Sequence, residues 1–140
     1  MDPSRERYYR GLFLVAAIYD IALGIAFTFF HQPVFDMVGV TPPDGGYIPL
    51  LGTFLLVIGI AYYLIWRGDL QRNRDMILVG TLYKLAYASV AFVHWALGDI
   101  PHVIFAAVFG IADLAFFVLM LECWVFLGRS RTTVEPEPIT

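Results

Sequence analysis

Three ionisable residues interrupt stretches of the chain that are otherwise apolar: Asp20, Lys84 and Asp113. A charge held at bilayer depth costs about 3 kcal/mol on insertion scales. Three of them facing lipid would cost about 9 kcal/mol, comparable to the whole stability of an ordinary domain. They are therefore expected to meet one another away from lipid. Two acids and one base carry a net charge of −1 if all are ionised. One carboxylate is expected to pair with Lys84, and the other to be protonated or to hold a cation. Tyr19, Tyr83 and Tyr87 are close enough in sequence to donate hydrogen bonds to this set. Two roles are open to it. It can fix helix register as a structural ion pair, or it can form a site for a proton, an ion or a polar ligand.

The second group with chemistry to offer is His31, His94 and His102, all the histidine the chain has. Each lies ten or eleven residues from one of the three charges, about 16 Å along a helix axis. All three fall toward the same membrane surface. They can hydrogen-bond headgroups and loop carbonyls, or serve as zinc or copper ligands with Asp36 or Asp99, or as haem ligands between helices. No two of them stand at i,i+4 on one helix. Lys84 as a Schiff-base lysine is disfavoured, because four helices make a poor pigment pocket. The single cysteine, Cys123, reads as a small apolar residue. It allows neither a disulfide within the chain nor a CxxC motif. No catalytic motif is present, so an enzyme is not expected.

The elements that must position these residues are four apolar segments, roughly 11–30, 48–66, 76–97 and 103–127. Each approaches or exceeds the ~20 residues that a membrane-crossing helix needs. Helical spacing puts Phe13, Ala17, Asp20, Gly24, Phe27 and His31 on one face of the first. Gly80, Lys84, Tyr87, Ala91 and His94 share a face of the third, and His102, Ala106, Phe109 and Asp113 a face of the fourth. The second carries no charge; its Gly52 and Gly59, seven apart, read as close helix packing. Residues 31–47 hold Pro33, Pro42, Pro43, Gly45 and Gly46 and read as a loop, with 34–38 lying along the interface. Gly98-Asp99-Ile100-Pro101 is a tight turn, and the polar tail 132–140 is expected to be disordered.

Of nine lysines and arginines, eight fall before the first segment, between the second and third, or after the fourth. The ninth is Lys84. Positive residues stay cytoplasmic, which predicts an all-α transmembrane four-helix bundle, up-down-up-down, with both termini cytoplasmic and a single domain over 1–131. Trp66 and Trp124 would mark one interface and Trp95 the other. The apolar stretch after Arg10 is too long for a cleaved signal. The composition agrees, with 59% hydrophobic and 15% charged residues against about a quarter charged in soluble domains. A net charge of −3 and no clustered basic stripe exclude nucleic acid as a partner.

The segments Phe35-Asp36-Met37-Val38-Gly39-Val40-Thr41-Pro42-Pro43, Gly80-Thr81-Leu82-Tyr83-Lys84-Leu85 and Ala112-Asp113-Leu114-Ala115-Phe116-Phe117 resemble the DoxX-like small four-helix membrane proteins of bacteria. The resemblance implies a bacterial cytoplasmic (inner) membrane and, for some members, a link to quinone-coupled sulfur oxidation. It touches Lys84 and Asp113 and implies no catalytic residue. Two other four-span classes fit less well. Eicosanoid-type glutathione enzymes need a charged second span, and the smallest multidrug exporters lack counterparts of Lys84 and Asp113. The first expectation is a non-enzymatic membrane protein that binds a small ligand, lipid or quinone, or that serves as an accessory subunit of a larger membrane complex. A proton- or ion-coupled small transporter, working as a homo-oligomer, is the second. A redox subunit with haem or metal at the histidines is the third.

Overall fold

A long apolar segment has one way to satisfy its own backbone in a bilayer without a closed barrel, and that is the α-helix. The computed structural model describes residues 2–43 and 45–131; the tail 132–140 lies outside the described residues. Among the described residues every regular element is helical: α1 (Pro3–Phe29), α2 (His31–Met37), α3 (Tyr47–Arg67), α4 (Arg74–Leu97), α5 (Val103–Ala106) and α6 (Asp113–Arg131). Ala107–Ala112 between α5 and α6 form a π-helical turn. Four helical rods are long and apolar enough to cross a membrane: Pro3–Phe29, Tyr47–Arg67, Arg74–Leu97 and Val103–Arg129. The chain is a multi-pass integral membrane protein. The first rod starts earlier than its apolar stretch because Pro3, whose fixed φ suits a helix start, opens it.

Each helix end has a local cause. Gly98 adopts φ 77° and closes α4, with its N–H donating to Trp95 O and the Asp99 N–H donating to His94 O. That is the left-handed glycine cap that satisfies the last carbonyls of a helix. His102 opens α5 by accepting a 3.2 Å hydrogen bond from the Ile104 N–H on its Nδ1.

The segment read as a loop is partly helical. His31–Met37 forms α2, and Phe35 on it is 3% exposed. Its ring sits 6.3 Å from that of Phe27 and 5.3 Å from that of Phe105. Pro33 signalled a break, but a proline in the first turn of a helix forfeits no hydrogen bond. Burial of Phe35 then favours folding the segment onto the bundle.

Glycines decide how α1 meets α3. A methyl group on Gly52 would lie 2.5 Å from Thr28 N, one on Gly24 2.6 Å from Leu56 N, and one on Gly59 2.8 Å from Ile21 N. Backbone therefore touches backbone along two turns, as small residues permit between membrane helices. Gly52 and Gly59 do what their spacing suggests, and Gly24 completes the seam.

The arginine-bearing ends of the rods lie together. Arg10 Nη1 donates to Trp66 O at 2.6 Å, and Arg74 Nε donates to Trp124 O at 3.3 Å. The Arg5 guanidinium lies 4.8 Å from the Phe126 ring centroid. Apolar packing divides into two clusters. One, with Tyr9, Phe13, Tyr62, Ile65, Ile77, Met120 and Leu127 among its members, occupies the arginine half. The other is built on Phe27, Phe35 and Leu55 in the opposite half. The three charges lie between them.

Candidate functional site

Asp20 belongs to the α1 face on which Phe13, Ala17, Gly24 and Phe27 are also buried. Lys84 shares a buried face of α4 with Gly80, Ala88 and Ala91. Asp113 begins α6. The three faces converge, and Lys84 Nζ donates to Asp20 Oδ1 at 2.7 Å and to Asp113 Oδ1 at 2.8 Å. All three residues are 0% exposed. Short charge-assisted bonds of this kind are what offset the desolvation of a buried ion pair.

An ammonium carries three N–H groups, and the two carboxylates take two of them. The rest of its surface faces aromatic rings. The Tyr19, Phe116 and Tyr62 centroids lie 5.0, 5.1 and 5.7 Å from Nζ. Each is within cation–π range, and such contacts strengthen where water is excluded. The site is thus one cation between two acids inside a three-ring cage. Asp20 Oδ2 and Asp113 Oδ2 are buried and have no hydrogen-bond partner. The trio therefore retains two acceptor positions without a protein partner in a buried interior.

The tyrosines do not behave as their sequence positions implied. Tyr19 donates to the Val108 carbonyl at 2.7 Å rather than to a carboxylate. Tyr83 and Tyr87 stack on each other with centroids 4.7 Å apart, and neither forms a hydrogen bond to Asp20 or Asp113. Tyr62 enters unannounced. It is 0% exposed and donates to Gly80 O at 2.7 Å. A methyl on Gly80 would stand 2.5 Å from its ring, so the glycine makes room for it. Tyr62 falls three residues after Gly59 on the same helical face, the one sequence signal that could have flagged it. Phe116 had no signal beyond its place three residues after Asp113.

The π turn explains the Tyr19 bond. Widening one turn moves hydrogen bonds from i→i+4 to i→i+5 and opens the backbone to a side-chain donor. Val108 lies inside that turn, which ends where Asp113 begins. Tyr19 and Asp20 are neighbours on α1. One turn of helix thus engages two consecutive residues of another, one through a carbonyl and one through Lys84.

The histidines are not a cluster. His102 Nδ1 is taken by the cap of α5. His94 Nδ1 lies 3.4 Å from Asp99 Oδ2, both residues more than half exposed. The partly buried His31 has no hydrogen-bond partner on its Nδ1. Among the described residues no group of three or more His, Cys, Asp or Glu side chains is placed to hold a metal ion.

A cavity of about 480 Å³ lies beside the network, in the half of the bundle opposite the arginines. Leu51 from α3, Ala86, Tyr87, Val90 and Ala91 from α4, and Phe105 and Phe109 from the fourth rod form its walls. His94, Asp99, Ile100 and Pro101 form its rim. Asp20, Lys84 and Asp113 do not line it. Tyr87 and Phe109, three residues from Lys84 and four from Asp113, line the cavity, and their rings lie 6.0 Å apart.

The fold and the site define a four-span integral membrane protein with a closed Asp–Lys–Asp network and an apolar cavity above it. No family model, curated protein or solved structure matches the chain.

Proposed function

We propose that this protein is a non-enzymatic membrane protein that binds a small hydrophobic ligand in the cavity between α3, α4 and the fourth rod. The observation that carries the reading is the cavity itself. Its 480 Å³ falls within the range of small-molecule sites, about 300–1,000 Å³, and its walls are aliphatic and aromatic with a few polar atoms at one end. One acyl chain of a lipid or a quinone-like ring has the dimensions for it. The resemblance to DoxX-like proteins is compatible with this, and so is a place in a larger membrane complex. The rods then run up-down-up-down with both termini cytoplasmic. This orientation is supported by the gathering of Arg5, Arg10 and Arg74 at one end of the bundle.

The test is a titration of the purified protein with a neutral environment-sensitive dye, N-phenyl-1-naphthylamine. Saturable binding, lost in Ala86→Trp, is the expected result. Ala86 is an exposed wall residue, so the substitution fills the cavity from its edge. Binding that is linear with micelle concentration, and equal in both proteins, removes the reading. Reporter fusions at the two termini should place both on the cytoplasmic side.

A second reading, a proton- or ion-coupled small transporter, is favoured by one specific observation. The unpartnered Oδ2 atoms of Asp20 and Asp113 are acceptors for a proton or a small monovalent cation. Its test is ion flux in liposomes. Loss of flux in Asp113→Asn with folding intact supports it, and no flux in the unaltered protein removes it.

A further inference from the structure

We infer that the cavity selects lipophilic organic cations, a proposal that rests on the ligand-binding reading above and names its substrate class. Three independent features of the site agree.

The first is the rim. Among the described residues Asp99 supplies its only carboxylate. The connecting segments at this end of the bundle, 31–43, 45–47 and 98–102, contain Asp36 and Asp99 but no lysine or arginine. His94 beside Asp99 is cationic only when protonated; with His94 neutral an anionic head group finds no cationic partner here, and a cationic one finds Asp99. His94 Nδ1 at 3.4 Å holds the carboxylate at the cavity edge without closing it off, since both side chains are more than half exposed.

The second is the wall. Tyr87, Phe105 and Phe109 all line the cavity. Aromatic faces carry negative electrostatic potential and attract cations, most strongly where water is excluded. The same preference operates one layer down, where Tyr19, Tyr62 and Phe116 surround Lys84.

The third is the field behind the wall. Tyr87 is three residues from Lys84, and Phe109 four from Asp113, so the trio lies about one helical turn beyond the cavity. Its formal charge is −1 with both acids ionised and zero with one protonated. The field behind the wall therefore favours a positive ligand in the first state and gives a negative one no attraction in either.

The chemical class that satisfies all three is a compact hydrophobic body bearing one delocalised or buried positive charge, such as an aryl or alkyl ammonium or phosphonium. Tetraphenylphosphonium and tetraphenylborate have nearly the same shape and opposite charge, which makes them the appropriate probes. Equilibrium dialysis against the full chain in detergent, with protein-free micelles subtracted, measures each. Saturable binding of tetraphenylphosphonium near one per chain is expected, with none for tetraphenylborate. Asp99→Asn should weaken phosphonium binding by about twofold to fivefold, the range of an exposed charge contact, and Asp99→Glu should restore it. Ala86→Trp should abolish it; Val90→Trp, at another exposed wall position, serves if the first variant does not fold.

The arms separate two failures. If both probes bind alike, or if Asp99→Asn leaves phosphonium affinity unchanged, the cation class is overturned while the cavity remains a ligand site. If the neutral dye also shows no saturable binding, the ligand-binding reading falls with it.

Discussion

The Tyr19 hydroxyl donates to the Val108 carbonyl at 2.7 Å, which ties α1 to the widened turn of the fourth rod immediately before Asp113. The same tyrosine turns its ring toward Lys84 at 5.0 Å. Tyr19→Phe keeps the ring and removes only the bond. A part-buried hydrogen bond contributes about 1 kcal/mol net, so thermal unfolding in detergent should shift down by a few degrees. An unchanged midpoint would mean that the π turn holds itself without Tyr19.

Removing Lys84 alone should be far worse than removing the whole network. Lys84→Met leaves Asp20 and Asp113 facing each other with no cation, and breaking a buried pair from one side costs about 3–5 kcal/mol. The triple variant Asp20→Asn/Lys84→Met/Asp113→Asn removes every charge and should recover most of that loss, a non-additivity that only contacting residues show. Unfolding free energies of the single and triple variants decide the matter. Additive losses would show that the three side chains do not act as one unit.

The glycine seam makes a paired prediction. Gly52→Ala places a methyl 2.5 Å from the Thr28 backbone and must push α1 from α3, at a cost of about 1–3 kcal/mol. Gly11→Ala on α1 meets nothing within 4 Å. It should leave stability unchanged or raise it by up to about 1 kcal/mol. Thermal shifts of the two variants measured side by side should therefore differ in sign or nearly so. Equal shifts would mean that the α1–α3 approach is looser than described.

Phe35 gives a test of α2. It is buried against Phe27 and Phe105, and Phe→Ala in a packed site costs about 3–5 kcal/mol. Met37 on the same short helix is 88% exposed, and Met37→Ala should cost nothing measurable by the same assay. If Phe35→Ala is as neutral as Met37→Ala, α2 does not seat on the bundle.

Metal content offers a last check. With His102 engaged in a helix cap and His94 beside Asp99, the purified protein should show no Soret absorbance and no stoichiometric zinc or copper by elemental analysis. A metal retained through purification and lost in His31→Ala would restore the redox-subunit reading.

How much of this was readable in advance follows from the size of each free-energy term. Asp20, Lys84 and Asp113 were legible because a charge in hydrocarbon has few alternatives to finding a partner, so the sequence fixes the meeting even though it names no geometry. Gly52 and Gly59 were legible because a seven-residue repeat of the smallest side chain has few other uses in a membrane helix. Phe35 was misread because two opposing signals, a nearby proline and a large apolar ring, differ by little until a surface exists for the ring to bury against. Tyr62 and Phe116 were overlooked because an aromatic side chain is tolerated at almost any depth in a bilayer bundle, and nothing in its own identity says which way it faces.

The sequence by itself determined that there are four spans, that the arginines flank them on one set of ends, and that the mid-membrane charges must be satisfied inside. Each of these is a large, local or one-body cost that any fold must meet. Tertiary structure alone decided that Lys84 bridges both acids while each keeps a free oxygen, that a π turn hands a carbonyl to Tyr19, and that Tyr87 and Phe109 line an apolar cavity, open on one side, next to the charge layer. Those depend on how several helices are rotated against one another, which is the sum of many small packing contacts with no single residue large enough to announce the result.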